Sequence, residues 1–269
     1  MADKKVKVGA VNYLNTKPLI YGLTELAPQI DLVLDLPSRL ADNLAAGSLD
    51  VALIPSIECF QNPSYTIVSD ACIGCRGPVF SVKLFCRVEP AHIRTLALDE
   101  GSRTSAALVR ILLKQRFNLE PELLPLPIGD SLHDSAADAV LLIGDRAMHS
   151  PAGKFQSVWD LGDQWCRWTE LPFVFAMWTA RSGVDLQGVD AALCEARDQG
   201  VRHIAEIAER EAAPLGLSQP ECEAYLKHNL HFSLGPREQQ GLALYYQWAS
   251  QMGLAPEGID LGFHRCQTS

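Results

Sequence analysis

Positive charge is in short supply in this chain of 269 residues, with 23 Lys and Arg against 32 Asp and Glu and a formal net charge of -9. A surface of that sign repels phosphate backbones and anionic headgroups, which argues against nucleic acid or a membrane as partner. Any anionic ligand must then be gripped by local donors rather than by the overall field. Long apolar runs are missing too: none approaches the roughly 20 residues of a membrane span. Met1-Ala2-Asp3-Lys4-Lys5 leads straight into the first strand, with no apolar segment of signal-peptide type, so the expectation is a cytoplasmic protein. Repeats and low-complexity tracts are absent as well.

Metal-binding spacing is also lacking. Cys72-x-x-Cys75 has no second pair to complete a four-ligand zinc site, since Cys59 and Cys86 stand at the wrong separations. A redox pair belongs at a helix start after a strand, whereas Gly74 and Gly77-Pro78 predict a loop. The eight cysteines, at 59, 72, 75, 86, 166, 194, 222 and 266, are read as thiols in a reducing compartment. His228-x-x-His231 is placed at a helix end on the surface, away from an acidic partner. Trp159, Trp165, Trp168 and Trp178 are read as packing.

What the chain does have is a 48% hydrophobic content, enough for a sizeable core, and a recurrent local pattern. Val6-Lys7-Val8-Gly9-Ala10-Val11 reads as an apolar strand that runs into the polar elbow Asn12-Tyr13-Leu14-Asn15-Thr16 and then into a helix over 17–26, which Pro18 can start. Gly9 allows a backbone or a ligand to come close. The same strand, polar elbow and helix return at 49–56, 95–105 and 139–146. In open α/β sheets ligands sit beyond the carboxyl ends of the strands, so four such elbows imply one pocket built from several loops.

Further strands are predicted over 30–36, 51–54, 65–69, 95–98, 123–126 and 139–143, with helices over 39–46 and 102–117. The 51–54 strand is wholly apolar, as expected when both faces are covered. Longer strands over 78–87 and 172–180 bracket the central unit. Beyond 180 the pattern is helical, over 189–212, from the capping box Ser218-Gln219-Pro220-Glu221 to about 229, and from Gly235-Pro236 onward. The implied architecture is α/β with two lobes. Residues 1–86 and 179–269 form a discontinuous outer lobe and 87–178 an inserted one. The chain crosses near 85 and returns near 178, and a ligand cleft lies between the lobes.

Seven blocks carry a resemblance. Tyr13-Leu14-Asn15-x-x-Pro18-Leu19, Asp50-Val51-Ala52-Leu53-Ile54-Pro55-Ser56, Gly77-Pro78-Val79-x-Ser81-Val82 and Ser102-Arg103-Thr104-Ser105 are followed by Leu142-Ile143-Gly144-Asp145-Arg146-Ala147, Asp160-Leu161-Gly162-x-x-Trp165 and Leu171-Pro172-Phe173-Val174-Phe175-Ala176-x-Trp178. In order and spanning 8–180, they resemble the chorismate dehydratases of menaquinone biosynthesis by the futalosine pathway; the helical tail matches in character only. The resemblance implies a type II periplasmic-binding-protein-like fold with two crossover strands and a helical C-terminal segment. It also implies a hydro-lyase that takes water from chorismate to give 3-[(1-carboxyvinyl)oxy]benzoate. That reaction makes a benzene ring, so its driving force lies in the substrate and no cofactor or metal is called for. The enzyme must hold a dicarboxylate, place a base by the ring proton and help hydroxide leave.

The residues allow more than one reading. Asn15 is the catalytic candidate under the resemblance, facing the substrate, although an elbow Asn also closes turns on its own backbone. Thr16 adjoins it. Ser102 reads as the cap of the following helix, where free N–H groups with the Thr104 and Ser105 hydroxyls suit a carboxylate; a plain N-cap run is the other reading. Ser56 and Ser81, at a strand end and at the start of the crossover, either line the cleft or satisfy local backbone. Asp145 could act as a base or hold Arg146, and such neighbour pairs are usually structural, so the pair is read as structural and the backbone of Ile143 and Gly144 is left to approach the ligand. No His or Glu in the blocks stands out as the base, which suggests that the enolpyruvyl carboxylate of the substrate removes the proton with Asn15 orienting it. Two other functions stay open: a cytosolic non-catalytic solute-binding or sensor protein, and the related 1,4-dihydroxy-6-naphthoate synthase, whose catalytic histidine motif is not found here.

Overall fold

The structure, a computed structural model, describes residues 5–149 and 153–259. Its strands are β1 (Val6–Val11), β2 (Ile30–Asp35), β3 (Val51–Pro55), β4 (Thr66–Cys75), β5 (Val82–Cys86), β6 (Thr95–Asp99), β7 (Glu122–Leu126), β8 (Ala139–Ile143), β9 (Ser157–Asp160), β10 (Phe173–Ala180) and β11 (His231–Ser233). They form a six-stranded sheet in the order β11-β4-β10-β3-β1-β2 and a five-stranded sheet in the order β7-β6-β8-β5-β9.

Both sheets are built to one plan. In each, a parallel trio (β2-β1-β3 and β7-β6-β8) is joined by an antiparallel strand that arrives from the other sheet, β10 in the first and β5 in the second. β3 and β8, wholly apolar in sequence, are buried along their whole length, as central strands covered on both faces must be. One apolar cluster runs from Val8 and Leu53 through Trp165 and Trp178 to Leu96 and Leu112, so the two sheets share a core. A smaller cluster around Phe85, Val140 and Leu142 covers the other face of the five-stranded sheet.

Several sequence expectations shift. The long strand predicted over 78–87 is only β5, and residues 76–81 form the crossing; the return lies at 170–172 rather than near 178. The crossing lies early because Phe80 takes a positive φ of 66°, which ends strand geometry just before β5. Cys72 and Cys75 lie inside β4, not in a loop, since β10 and β11 pair with its far end. The helix predicted over 17–26 is instead a 3-10 segment, Leu14–Ile20, followed by Leu23–Leu26, because Gly22 adopts a left-handed φ of 64°. Asn15 and Thr16 therefore stand on a helical turn. The helix predicted over 189–212 divides into Val189–Arg202 and Ile204–Glu211 at His203, whose ring stacks on Tyr21 with centroids 4.8 Å apart. Gly9 admits neither ligand nor backbone: the Leu40 and Leu49 side chains close over it.

The C-terminal helices hold up the first elbow. Gly200 packs so tightly against it that a Cβ there would lie 2.0 Å from the Pro18 carbonyl oxygen, and Lys17 pairs with Glu211 at 3.3 Å. Gly200→Ala must therefore push the Val189–Arg202 helix off the 3-10 segment. It is expected to destabilise the protein by about 1–3 kcal/mol, the usual cost of overpacking, read as a lower midpoint in urea with an unchanged slope.

Candidate active site

The carboxyl ends of the two parallel trios face each other. β1 ends at Val11, β3 at Pro55, β6 at Asp99 and β8 at Ile143, and the elbows that follow line one shared cavity. Seven predicted residues line it. Asn15 comes from the first elbow and Ser81 from the crossing, while Ser102, Thr104 and Ser105 stand at the start of the Thr104–Phe117 helix, with Ile143 and Gly144 after β8. Thr16 and Ser56 lie behind the wall, fully buried. The Ser56 hydroxyl donates to the Val174 carbonyl at 2.8 Å, so its role is the local backbone one. Thr16 donates to Asn15 Oδ1 at 3.3 Å and fixes the amide from behind.

Ser102 is not the helix cap. Arg103 occupies the N-cap position, where a guanidinium, having donors but no acceptor, makes no capping bond; it donates instead to Asp42 (2.7 Å) and Glu58 (3.2 Å) on the six-stranded side. The first-turn N–H groups, flanked by the Ser102, Thr104 and Ser105 hydroxyls, are thus left at the cavity wall, where the helix dipole favours an anion. Thr104 has a second task. Its Oγ1 accepts from the Ile57 N–H at 3.3 Å and lies 3.3 Å from Ser56 Oγ, bridging the two sheets.

Tyr13, within a quoted block but not singled out there, forms another part of the wall. Its ring lies against Gly144, where a Cβ would stand 2.7 Å from it, and Gly144 itself has a φ of 69°, so two separate reasons require glycine. Burial, reinforced by Asp99, pushes the Tyr13 hydroxyl up to about 12, and it stays protonated at neutral pH. Asp145 and Arg146 do not pair with each other as expected. Asp145 accepts the Leu14 N–H at 3.1 Å, tying the elbow of one sheet to that of the other. Arg146 instead holds the buried Asp99, which also accepts from the Gly101 and Ile143 N–H groups. A local reading pairs sequence neighbours, whereas the 3-10 turn at Asp145–Ala147 sends the two side chains to different partners.

Ser81 is aimed by its backbone. Its N–H bonds the Val79 carbonyl two residues back at 2.8 Å around the positive-φ Phe80, a γ-turn that costs of order 1–3 kcal/mol unless its surroundings hold it. Asp160 does so, accepting from the N–H groups of Val79 (2.9 Å) and Phe80 (2.6 Å) as well as capping its own helix through Asp163. Behind Ser81 stands Tyr225, fully buried, whose hydroxyl donates to Ser81 Oγ at 2.8 Å. Nothing local marks Tyr225, which is 144 residues from Ser81.

Away from the cavity, His231 does have an acidic neighbour. β11 brings its Nε2 to 3.6 Å from the buried Glu238, which Arg76 also engages. Trp165 and Trp178 are core residues, while Trp168 is half-exposed and stacks on Trp248. Cys266 lies outside the described residues. Among the described residues no group of three or more His, Cys, Asp or Glu side chains is placed to hold a metal ion, and no helix is long and apolar enough to cross a membrane.

Comparison with known proteins fits this geometry. A family model described as menaquinone biosynthesis matches residues 6–251, spanning both sheets and the supporting helices. The chain belongs to this menaquinone-biosynthesis family. A chorismate dehydratase of Thermus thermophilus is 31% identical over 265 residues, covering 92% of this chain and 95% of the relative. Among solved structures, a protein of Archaeoglobus fulgidus superposes with a TM-score of 0.69 at 15% identity, over 94% of this chain and all of that one. The alkanesulfonate-binding protein SsuA from Xanthomonas axonopodis pv. citri, bound to MOPS, gives 0.65 at 14% identity over 97% of each chain. Together with the generic periplasmic binding fold of a Candida albicans protein (0.58 at 13% identity, over 97% of this chain and 99% of that one), they establish the two-lobe architecture expected from the blocks. The menaquinone-biosynthesis member described here carries that fold.

Two outcomes are expected. Asp160→Ala removes three backbone acceptances at once and is expected to destabilise the protein by about 2–3 kcal/mol, with a lowered thermal midpoint and weaker ligand binding in the cavity. His231 has its pKa held below the ordinary 6.5, first by burial and then by Arg76, against the opposing pull of Glu238. The unfolded chain therefore takes up this proton first, and stability present above pH 6.5 is lost as the pH falls below it. Urea midpoints between pH 7.5 and 5.5 are expected to fall less steeply in His231→Gln than in the parent.

Proposed function

We propose that this protein is an enzyme, a hydro-lyase that eliminates water from chorismate to give 3-[(1-carboxyvinyl)oxy]benzoate. The observation that carries the reading is the single cavity in which Asn15, Ser81 and the uncapped start of the Thr104–Phe117 helix converge. Membership of the menaquinone-biosynthesis family and the name of the Thermus relative support it.

The chemistry follows from the wall. Chorismate is a dianion, and the Ser102 and Ser105 hydroxyls with the helix-start N–H groups suit one of its carboxylates, the Thr104 hydroxyl being engaged with Ser56. Apolar Val11, Ile73, Val79, Val82 and Phe175 suit the ring. Ser81 and Asn15, also in the wall, are assigned to the groups that react. Loss of the ring hydroxyl with the neighbouring ring proton yields an aromatic ring, so the protein need only hold the geometry, accept one proton and steady the departing hydroxide. The ionisable side chains among the lining residues are Tyr13 and Arg103. Tyr13 keeps its proton at neutral pH, and Arg103 is held by two carboxylates. Neither serves as a base. The enolpyruvyl carboxylate of chorismate does, with the Asn15 amide orienting it.

Incubation with chorismate is expected to abolish its diene absorbance and release the substituted benzoate. Binding without that loss would make the protein a sensor. An analogue lacking the enolpyruvyl carboxylate should bind without reacting, and full turnover of it would rule out the substrate as base. Ser105→Ala is expected to raise KM by about tenfold, the effect of one hydrogen bond to a charged group, with kcat nearly unchanged.

A further inference from the structure

We infer that Tyr225 is a positioning residue for this elimination, resting on the dehydratase reading, and that it acts by making the Ser81 hydroxyl a donor into the cavity.

Tyr225 has a single proton and gives it to Ser81 Oγ at 2.8 Å. Ser81, having accepted, has its own O–H free to point at a ligand. A hydroxyl that accepts one bond while donating another is polarised by the first, so Ser81 is a stronger donor than an isolated serine.

The setting suits this role. Tyr225 is 1% exposed, so its hydroxyl cannot exchange partners with solvent. It opens a π-helical turn, Tyr225–Asn229, a form that recurs at functional sites. Asn229, at the other end of that turn, donates to the Pro78 carbonyl at 2.9 Å, so one turn holds the crossing at two points, Pro78 and Ser81. A tyrosine present for packing alone requires no hydroxyl aimed at Ser81. A proton aimed from Ser81 at the ring hydroxyl strengthens as that oxygen gains charge, which stabilises departure of hydroxide more than it stabilises bound chorismate.

The test is a double-mutant cycle of Tyr225→Phe and Ser81→Ala, assayed by loss of chorismate absorbance. Tyr225→Phe is expected to lower kcat by about tenfold with KM changed less than about twofold, and to have no further effect when Ser81 is already alanine. An equal loss in both backgrounds, or none in the parent, overturns the proposal. So that a packing defect cannot be mistaken for the effect, Tyr225 is also replaced by 3-fluorotyrosine, which keeps the ring and gives a stronger O–H donor. kcat is then expected to be maintained or raised, and a fall matching Tyr225→Phe overturns the proposal. Wild-type protein that leaves chorismate intact overturns the dehydratase reading, and this inference with it.

Discussion

The carboxylate of Asp160 receives the backbone N–H groups of Val79 and Phe80, and the cavity depends on that contact. The crossing is where the chain leaves one sheet for the other, and it must turn sharply at a non-glycine residue with positive φ. Without a fixed acceptor that turn would relax, and Ser81 would turn with it. Asp160 also caps the helix that follows β9, so one side chain fixes the crossing, the start of a helix and the wall of the site.

Around this point the two sheets are joined by contacts that also shape the pocket. Asp145 meets the Leu14 N–H, Thr104 meets Ile57, and Arg103 reaches Asp42 and Glu58. Each contact has at least one member that lines the cavity or adjoins a lining residue, so bringing the sheets together and assembling the donors are the same event. The C-terminal helices take part from behind: Gly200 seats the Asn15 elbow, and Tyr225 reaches Ser81. The C-terminal helices, which the family model matches as far as residue 251, thus supply the inner layer of the site.

Under the proposed reading, a chain with a formal net charge of -9 has to hold a dianion by local donors. The wall offers hydroxyls, an amide and helix-start N–H groups, while the one cation among its lining residues is engaged by carboxylates. Donors of this kind hold an anion without the desolvation cost of burying a free positive charge, and they point in fixed directions. Fixed direction is what an elimination needs, because the ring proton and the departing hydroxyl must be met by different groups.

The sequence by itself determined the two sheets, the four elbows and most of the cavity wall. Apolar strands running into polar turns are local patterns, and Asn15, Ser81, the 102–105 run and Gly144 are each readable within a few residues. It also determined that the wall would be neutral and hydroxyl-rich. Only the tertiary structure decided which polar groups stay available. Ser56 is taken up by Val174, Arg103 rather than Ser102 stands at the helix start, Asp145 serves Leu14 rather than Arg146, and Cys72 and Cys75 lie in a strand because β10 and β11 pair there. Tyr225, and the division of a helix at His203 where it meets Tyr21, were likewise beyond reach. A hydrogen bond or a ring stack is chosen among all groups that folding brings within about 3–5 Å, and that set is fixed by packing across the molecule rather than by neighbours along the chain.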